Sequence, residues 1–99
     1  MNNFESLIQS DIPVVVDFFA EWCGPCKLMT PVLHNVKEKI GTRATVLKMD
    51  IDKNPSYSQR YQIQAVPTLI IFHRGNIIWR KSGVVPAQEI LQRIALCIS

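Results

Sequence analysis

Six consecutive residues, Val14-Val15-Val16-Asp17-Phe18-Phe19, restrict the fold of this chain more than any other stretch. They follow Ile12-Pro13 and are β-branched or aromatic at all but one position, the composition of a strand. Neither parity of side chains is polar throughout, so such a strand must be covered on both faces. The chain therefore needs helices above and below a sheet. The exception is Asp17, which under period-two alternation shares a face with Val15 and Phe19.

The strand runs directly into Glu21-Trp22-Cys23-Gly24-Pro25-Cys26-Lys27. Two thiols three positions apart, with Gly and Pro between them, can close a small ring. The apolar periodicity of Leu28, Met29, Val32, Leu33, Val36 and Ile40 begins at once, which makes the cysteine stretch a loop entering a helix N-terminus. Unpaired amide N–H groups and the positive end of the helix dipole favour negative charge there. A thiol in that first turn loses its proton more readily. Cys23 is expected further out, as the thiolate. Pro25 suits an early helical position, where its missing N–H costs little, and its ring holds Cys26 behind the nucleophile.

Ninety-nine residues, 47% of them hydrophobic, predict one domain over 1–99 with a core that needs no disulfide scaffold. Three cysteines, an odd number, read as a redox pair plus one spare thiol and point to a reducing compartment. Met1-Asn2-Asn3-Phe4 has no basic stretch, and no apolar run long enough for a signal peptide or membrane span follows, so a cytoplasmic protein with no membrane partner is expected. The net charge of +3 comes from scattered Lys and Arg, without the basic stripe that nucleic acid requires. Lys37, Lys39 and Arg43 read as a solvated helix end that complements the dipole. Cys-X-X-Cys is also half of a zinc site, but His34 lies about 12 Å along the helix from Cys26 and no second cysteine pair exists. Neither metal nor cofactor is expected.

Along the chain, Asn3 is placed to cap a short helix carrying Phe4, Leu7 and Ile8 on one face and ending near Ser10-Asp11. After the long helix Gly41 is a stop, and Ala44 to Asp50 is a second strand. Asp52-Lys53-Asn54-Pro55 starts a short helix over Ser56 to Tyr61, and Gln64 to Thr68 leads into a third strand, Leu69 to Phe72. Arg74-Gly75-Asn76 is a hairpin turn into a fourth strand, Ile77 to Lys81. A last helix spans about Pro86 to Cys97, with Ile90, Leu91, Ile94 and Ile98 inward and Cys97 on its apolar side. His34 and His73 read as surface residues. These elements imply an α/β fold, a mixed sheet with helices on both faces.

The motif Trp22-Cys23-Gly24-Pro25-Cys26-Lys27, with this order and spacing of elements, closely resembles the thioredoxin family over almost the whole chain. Members usually carry a strand before the first helix. Here the helix signal begins at Asn3, so a four-stranded thioredoxin fold is expected, with Ala44 to Asp50 as an exposed edge able to bind another chain. The resemblance implies a thiol-disulfide oxidoreductase that reduces protein disulfides through Cys23 and Cys26, and Gly-Pro between the cysteines is similar to the reducing members. A flavoprotein thioredoxin reductase is the implied electron donor and disulfide-containing proteins the implied clients, for a monomer or a weakly self-associating chain. The alternative is a non-catalytic thioredoxin-fold binding module, or a redox subunit dedicated to one partner.

The resemblance also assigns roles. Asp17, whose burial predicts a raised carboxyl pKa, matches the buried acid behind Cys26 that takes and returns its proton. Lys48 matches a Lys that approaches this acid, against the plainer reading of a solvent-pointing edge lysine. Pro67, in Val66-Pro67-Thr68, matches a cis proline facing the cysteines, beside which the Val66 backbone would pair with an extended substrate segment. Trp22, Gly24, Pro25, Val66, Gly83 and Val84 match an apolar collar around Cys23, although Gly75 and Gly83 read equally well as turn residues. Pro31 falls inside the long helix, where a kink is expected. Phe19 occupies a position where the family often has Trp.

Overall fold

The structure, a computed structural model, describes residues 3–98, and for Asn3 the backbone alone. The elements are α1 (Asn3–Ile8), β1 (Val14–Phe19), α2 (Gly24–Ile40), β2 (Thr45–Asp50), α3 (Pro55–Arg60), β3 (Thr68–His73), β4 (Asn76–Ser82) and α4 (Ala87–Ile98), with a 3₁₀ turn at Gly41–Arg43. The cap expected from the Asn3 side chain lies outside the described residues. The β1 bounds agree with the sequence reading, and the other elements are displaced at their ends by one to three residues. Such shifts are ordinary where caps and fraying decide the boundary.

The sheet order is β2-β1-β3-β4. Strand β1 is parallel to β2 and antiparallel to β3, and β3 is antiparallel to β4. A parallel pair needs a long crossover, which α2 supplies. The two inner strands, β1 and β3, are the continuously buried ones. On one face Val15, Leu69 and Ile71 pack against Met29, Leu33 and Val36 of α2 and Ile90 and Ile94 of α4. On the other, Val14, Val16, Phe18, Ile70 and Phe72 pack against Phe4 and Ile8 of α1, with Tyr57 and Tyr61 alongside. Fully burying a side chain such as Phe18 contributes about 2–3 kcal/mol, so these two layers hold the sheet between the helices.

Leu7, Leu28 and Ile98, expected to face inward, are exposed. Each lies at an element end or on the margin of the apolar stripe, where no opposing layer covers it. Cys97 is half-buried and unpaired, a partial match to core packing, and burial pushes its thiol pKa up while Arg74 pulls it back. His73 is half-buried, its Nε2 2.8 Å from the Asp11 carbonyl oxygen. Gly41 closes α2 at φ +60°, its N–H donating to the Lys37 carbonyl. Lys37 Nζ donates to the carbonyls of Gly41 (2.8 Å) and Ala44 (2.9 Å), and Arg43 donates to those of Ile40 and Lys39. These bonds hold the turn that returns the chain to β2. Among the described residues no helix is long and apolar enough to cross a membrane.

Candidate active site

Helix α2 starts where β1 ends, at the point where the sheet's connections leave toward opposite sides, the usual place for a site in an open α/β sheet. The Cys23 N–H donates to the Ala20 carbonyl at 3.1 Å and closes the intervening turn. Cys23 is the N-cap residue, with extended backbone, and its Sγ accepts the Cys26 N–H at 3.1 Å. A sulfur thus takes the place of the usual capping oxygen. Pro25 lies in the first turn, and the two cysteine sulfurs are joined as a disulfide. Exposure does not separate the cysteines, at 4% for Cys23 and 3% for Cys26. The difference lies in the backbone: Cys23 stands outside the helix and Cys26 within it. Gly24 and Pro25 between them are exposed.

The Val66–Pro67 peptide bond is cis. The Val66 carbonyl oxygen lies 3.7 Å from Cys23 Sγ, which brings the segment before β3 against the nucleophile candidate. Pro67 is buried, and its carbonyl accepts the Gly83 N–H at 2.8 Å. Gly83 has φ +95°, a conformation that favours glycine. It serves as a turn residue and as the tie between the β4–α4 loop and the cis proline. Val84 follows it and is exposed.

Trp22 is 71% exposed, yet its indole Nε1 donates to Asp52 Oδ2 at 2.8 Å. Asp50 sets that partner: its Oδ1 accepts the N–H groups of Asp52 and Lys53, and its carbonyl accepts from Asn54 Nδ2. Asp52 is a site residue that sequence reasoning missed. Its Asp-rich turn was visible, but its pairing with an indole 30 positions earlier was not. The Val85 N–H donating to Met29 Sδ at 3.4 Å, which ties the β4–α4 loop to α2, was equally hidden.

Asp17 is fully buried on the α2 and α4 side of β1, and neither carboxyl oxygen has a hydrogen-bond partner among the described residues. Burial pushes its pKa from the ordinary 3.8 up to about 6, and the positive charge of Lys48 pulls the other way. Lys48 is its register neighbour on β2. The lysine is exposed, as an edge residue should be, but its Nζ turns back: it lies 3.4 Å from Thr30 Oγ1 and 4.6 Å from the centre of the Phe19 ring. Asp17 makes no hydrogen bond to Cys26. Among the described residues no cluster of three His, Cys, Asp or Glu side chains is placed to hold a metal ion.

A four-stranded mixed sheet between helices, with a disulfide at a helix N-terminus beside a cis proline, defines the thioredoxin fold class. The thioredoxin family model matches residues 1–96. The chain is 47% identical over 94 residues to thioredoxin Y2, chloroplastic, of Arabidopsis thaliana, covering 94% of this chain and 56% of that protein. It is 40% identical over 93 residues to a thioredoxin of Alicyclobacillus acidocaldarius, covering 94% and 89%. The crystal structure of chloroplastic thioredoxin z superposes with a TM-score of 0.86 at 33% identity, covering 97% of this chain and 87% of that one. The chain belongs to the thioredoxin family. It spans little more than half the length of the chloroplastic relatives it matches.

Proposed function

We propose that this protein is a thiol-disulfide oxidoreductase that reduces disulfides of client proteins. The observation that carries the reading is Cys23 Sγ at the α2 N-cap, accepting the Cys26 N–H while bonded to the Cys26 sulfur. An N–H donor and the positive end of a helix stabilise a thiolate at that atom, and a partner thiol three residues on can resolve what it forms. In the reduced protein the Cys23 thiolate attacks one client sulfur. A Cys23–client bond forms as the client disulfide breaks, and the other client sulfur leaves as a thiolate that takes a proton. Asp17 accepts the Cys26 proton. The Cys26 thiolate then attacks Cys23 Sγ, the Cys23–client bond breaks, and the second client sulfur leaves and is protonated. Two electrons pass to the client, and the protein is left with the Cys23–Cys26 disulfide.

Val66, Pro67 and Gly83 present the client's extended backbone, with Trp22, Gly24, Pro25 and Val84 as the apolar surround. A flavoprotein reductase is the proposed electron donor. The odd cysteine count and the free Cys97 support a reducing compartment, such as the cytoplasm, as the place of action. The test is reduction of insulin disulfides with dithiothreitol as electron source. Multiple turnovers are expected from the wild type and none from Cys23→Ser. A wild type that gives no turnover would leave a binding module as the reading.

A further inference from the structure

A row of side chains crosses the sheet on the α2 face: Lys48 on β2, Asp17 on β1, Leu69 on β3 and Lys81 on β4 are successive register partners. Lys81 is paired with Glu89 at 3.1 Å. Lys48 makes no ion pair among the described residues, and neither oxygen of Asp17 has a partner. A basic side chain beside a buried acid would ordinarily close onto it. Here the ammonium goes instead to the Thr30 hydroxyl and the face of the Phe19 ring. These two contacts come from different elements, α2 and β1. They hold the charge at the wall of a cleft of about 250 Å³ that Cys26, Glu21 and Lys27 also line.

We propose that Thr30 and Phe19 are positioning residues that fix the Lys48 ammonium over the Cys26 cleft, where its charge acts on Asp17 through space and not through an ion pair. The inference deepens the reading of Asp17 as the acceptor of the Cys26 proton and rests on it.

A free lysine on an edge strand is drawn outward by hydration and by the rotamer freedom of its four-carbon stem. A hydroxyl acceptor and a ring face together counter that tendency, because each contact alone is worth about 1 kcal/mol or less. Of the other charges facing this region, Lys27 lines the same cleft but is kept in every variant compared below, so it produces no difference between them. Lys37 Nζ is engaged by two carbonyls, and Glu21 lies 3.9 Å from Lys53. His34 and Glu38 line the neighbouring groove beyond Thr30, on the side of Lys48 away from Cys26. From β3, Asp17 faces Leu69, and α4 contributes Ile90 and Ile94 to this side of the sheet.

The experiment follows the Asp17 carboxyl by carbon-13 NMR across a pH series of the oxidised protein. Wild type is compared with Thr30→Val, Thr30→Ser, Phe19→Leu, Lys48→Met and the double variant Thr30→Val/Lys48→Met. Loss of the hydroxyl frees Lys48 toward solvent, so Thr30→Val is expected to raise the midpoint by roughly 0.5 pH unit. Thr30→Ser keeps the wild-type value, Phe19→Leu raises it, and Lys48→Met raises it furthest. In the Lys48→Met background Thr30→Val has no further effect, which a general loosening of the structure would not reproduce. An unchanged or lowered midpoint in Thr30→Val would overturn the proposal, and so would an undiminished effect without Lys48. The titration needs no turnover, so failure of the insulin assay in wild type would count against the function and leave this inference to be decided separately.

Discussion

Asp17 is a carboxylic acid with no exposed surface and no hydrogen-bond partner among the described residues, and both its chemistry and its cost to the fold follow from that. The unfolded chain binds this proton with a midpoint of 3.8 and the folded chain with one of about 6. Between those pH values the folded state holds more protons, so stability falls as pH rises through the window and levels off above it. Asparagine does not titrate. Asp17→Asn is therefore expected to be more favourable to stability at pH 8 than at pH 4, by roughly 2 kcal/mol, in paired urea unfolding curves. The same variant should slow release of a client from its mixed disulfide with Cys23 by roughly a hundredfold. A mutational effect on stability that is identical at both pH values would remove Asp17 from this role. Trp22 poses the opposite case, an exposed ring held by one bond to Asp52. Asp52→Ala should leave stability within about 0.5 kcal/mol. Freeing the indole should raise KM for insulin roughly fivefold, the cost of ordering one large side chain on binding, with kcat unchanged. Steady-state kinetics that show a lower kcat at constant KM would point to a role in chemistry instead.

At the scale of elements, legibility tracked how many faces a segment buries. Strand β1 is legible to the residue because Val14 to Phe19 has no polar face, and that pattern has few other uses. Its one polar residue stood out for the same reason. Strand β4 has two apolar residues near its start, Ile77 and Ile78, and both are exposed, since an edge strand leaves side chains uncovered that an inner strand would bury. Leu28 fails in the same way, four positions past the helix start on the solvent side of α2. The cysteine pair and its helix were legible from local spacing. The Asp52 bond to Trp22 and the Thr30 and Phe19 contacts to Lys48 were not, because they join segments that only the folded sheet brings together. The end of α2 allows a direct test of local reasoning. Gly41 has φ +60°, and a Cβ placed there would meet no atom within 4 Å, so Gly41→Ala carries a conformational penalty without a clash. A loss of about 1–2 kcal/mol is expected in urea unfolding. An unchanged midpoint would mean that the turn relaxes freely and that the Lys37 and Arg43 bonds do not depend on it.

For the whole molecule the deciding feature is which strands lie outermost. The order β2-β1-β3-β4 leaves β2 and β4 as edges, with backbone groups on one side that no strand of the described sheet satisfies. The β2 edge reads Thr45-Val46-Leu47-Lys48-Met49-Asp50, apolar except at its ends and at Lys48. A charge in mid-strand obstructs edge-to-edge pairing, because a second copy docking there would bring another lysine close and strip water from both. On the reading proposed above, Lys48 would do two things from one position: its ammonium would act on Asp17 across the sheet, and its charge would keep the open edge from pairing. Lys48→Val and Lys48→Glu together separate these effects: both remove the ammonium that acts on Asp17, but only valine takes the charge off the edge and puts a strand-forming apolar residue there. Lys48→Val is expected to self-associate more strongly than wild type at equal concentration, and Lys48→Glu, which keeps a charge, no more strongly than wild type. Concentration-dependent sedimentation velocity checks both. Monomeric Lys48→Val at millimolar concentration would show that the short β2 edge is protected by its length and twist, and that Lys48 is placed there for Asp17 alone.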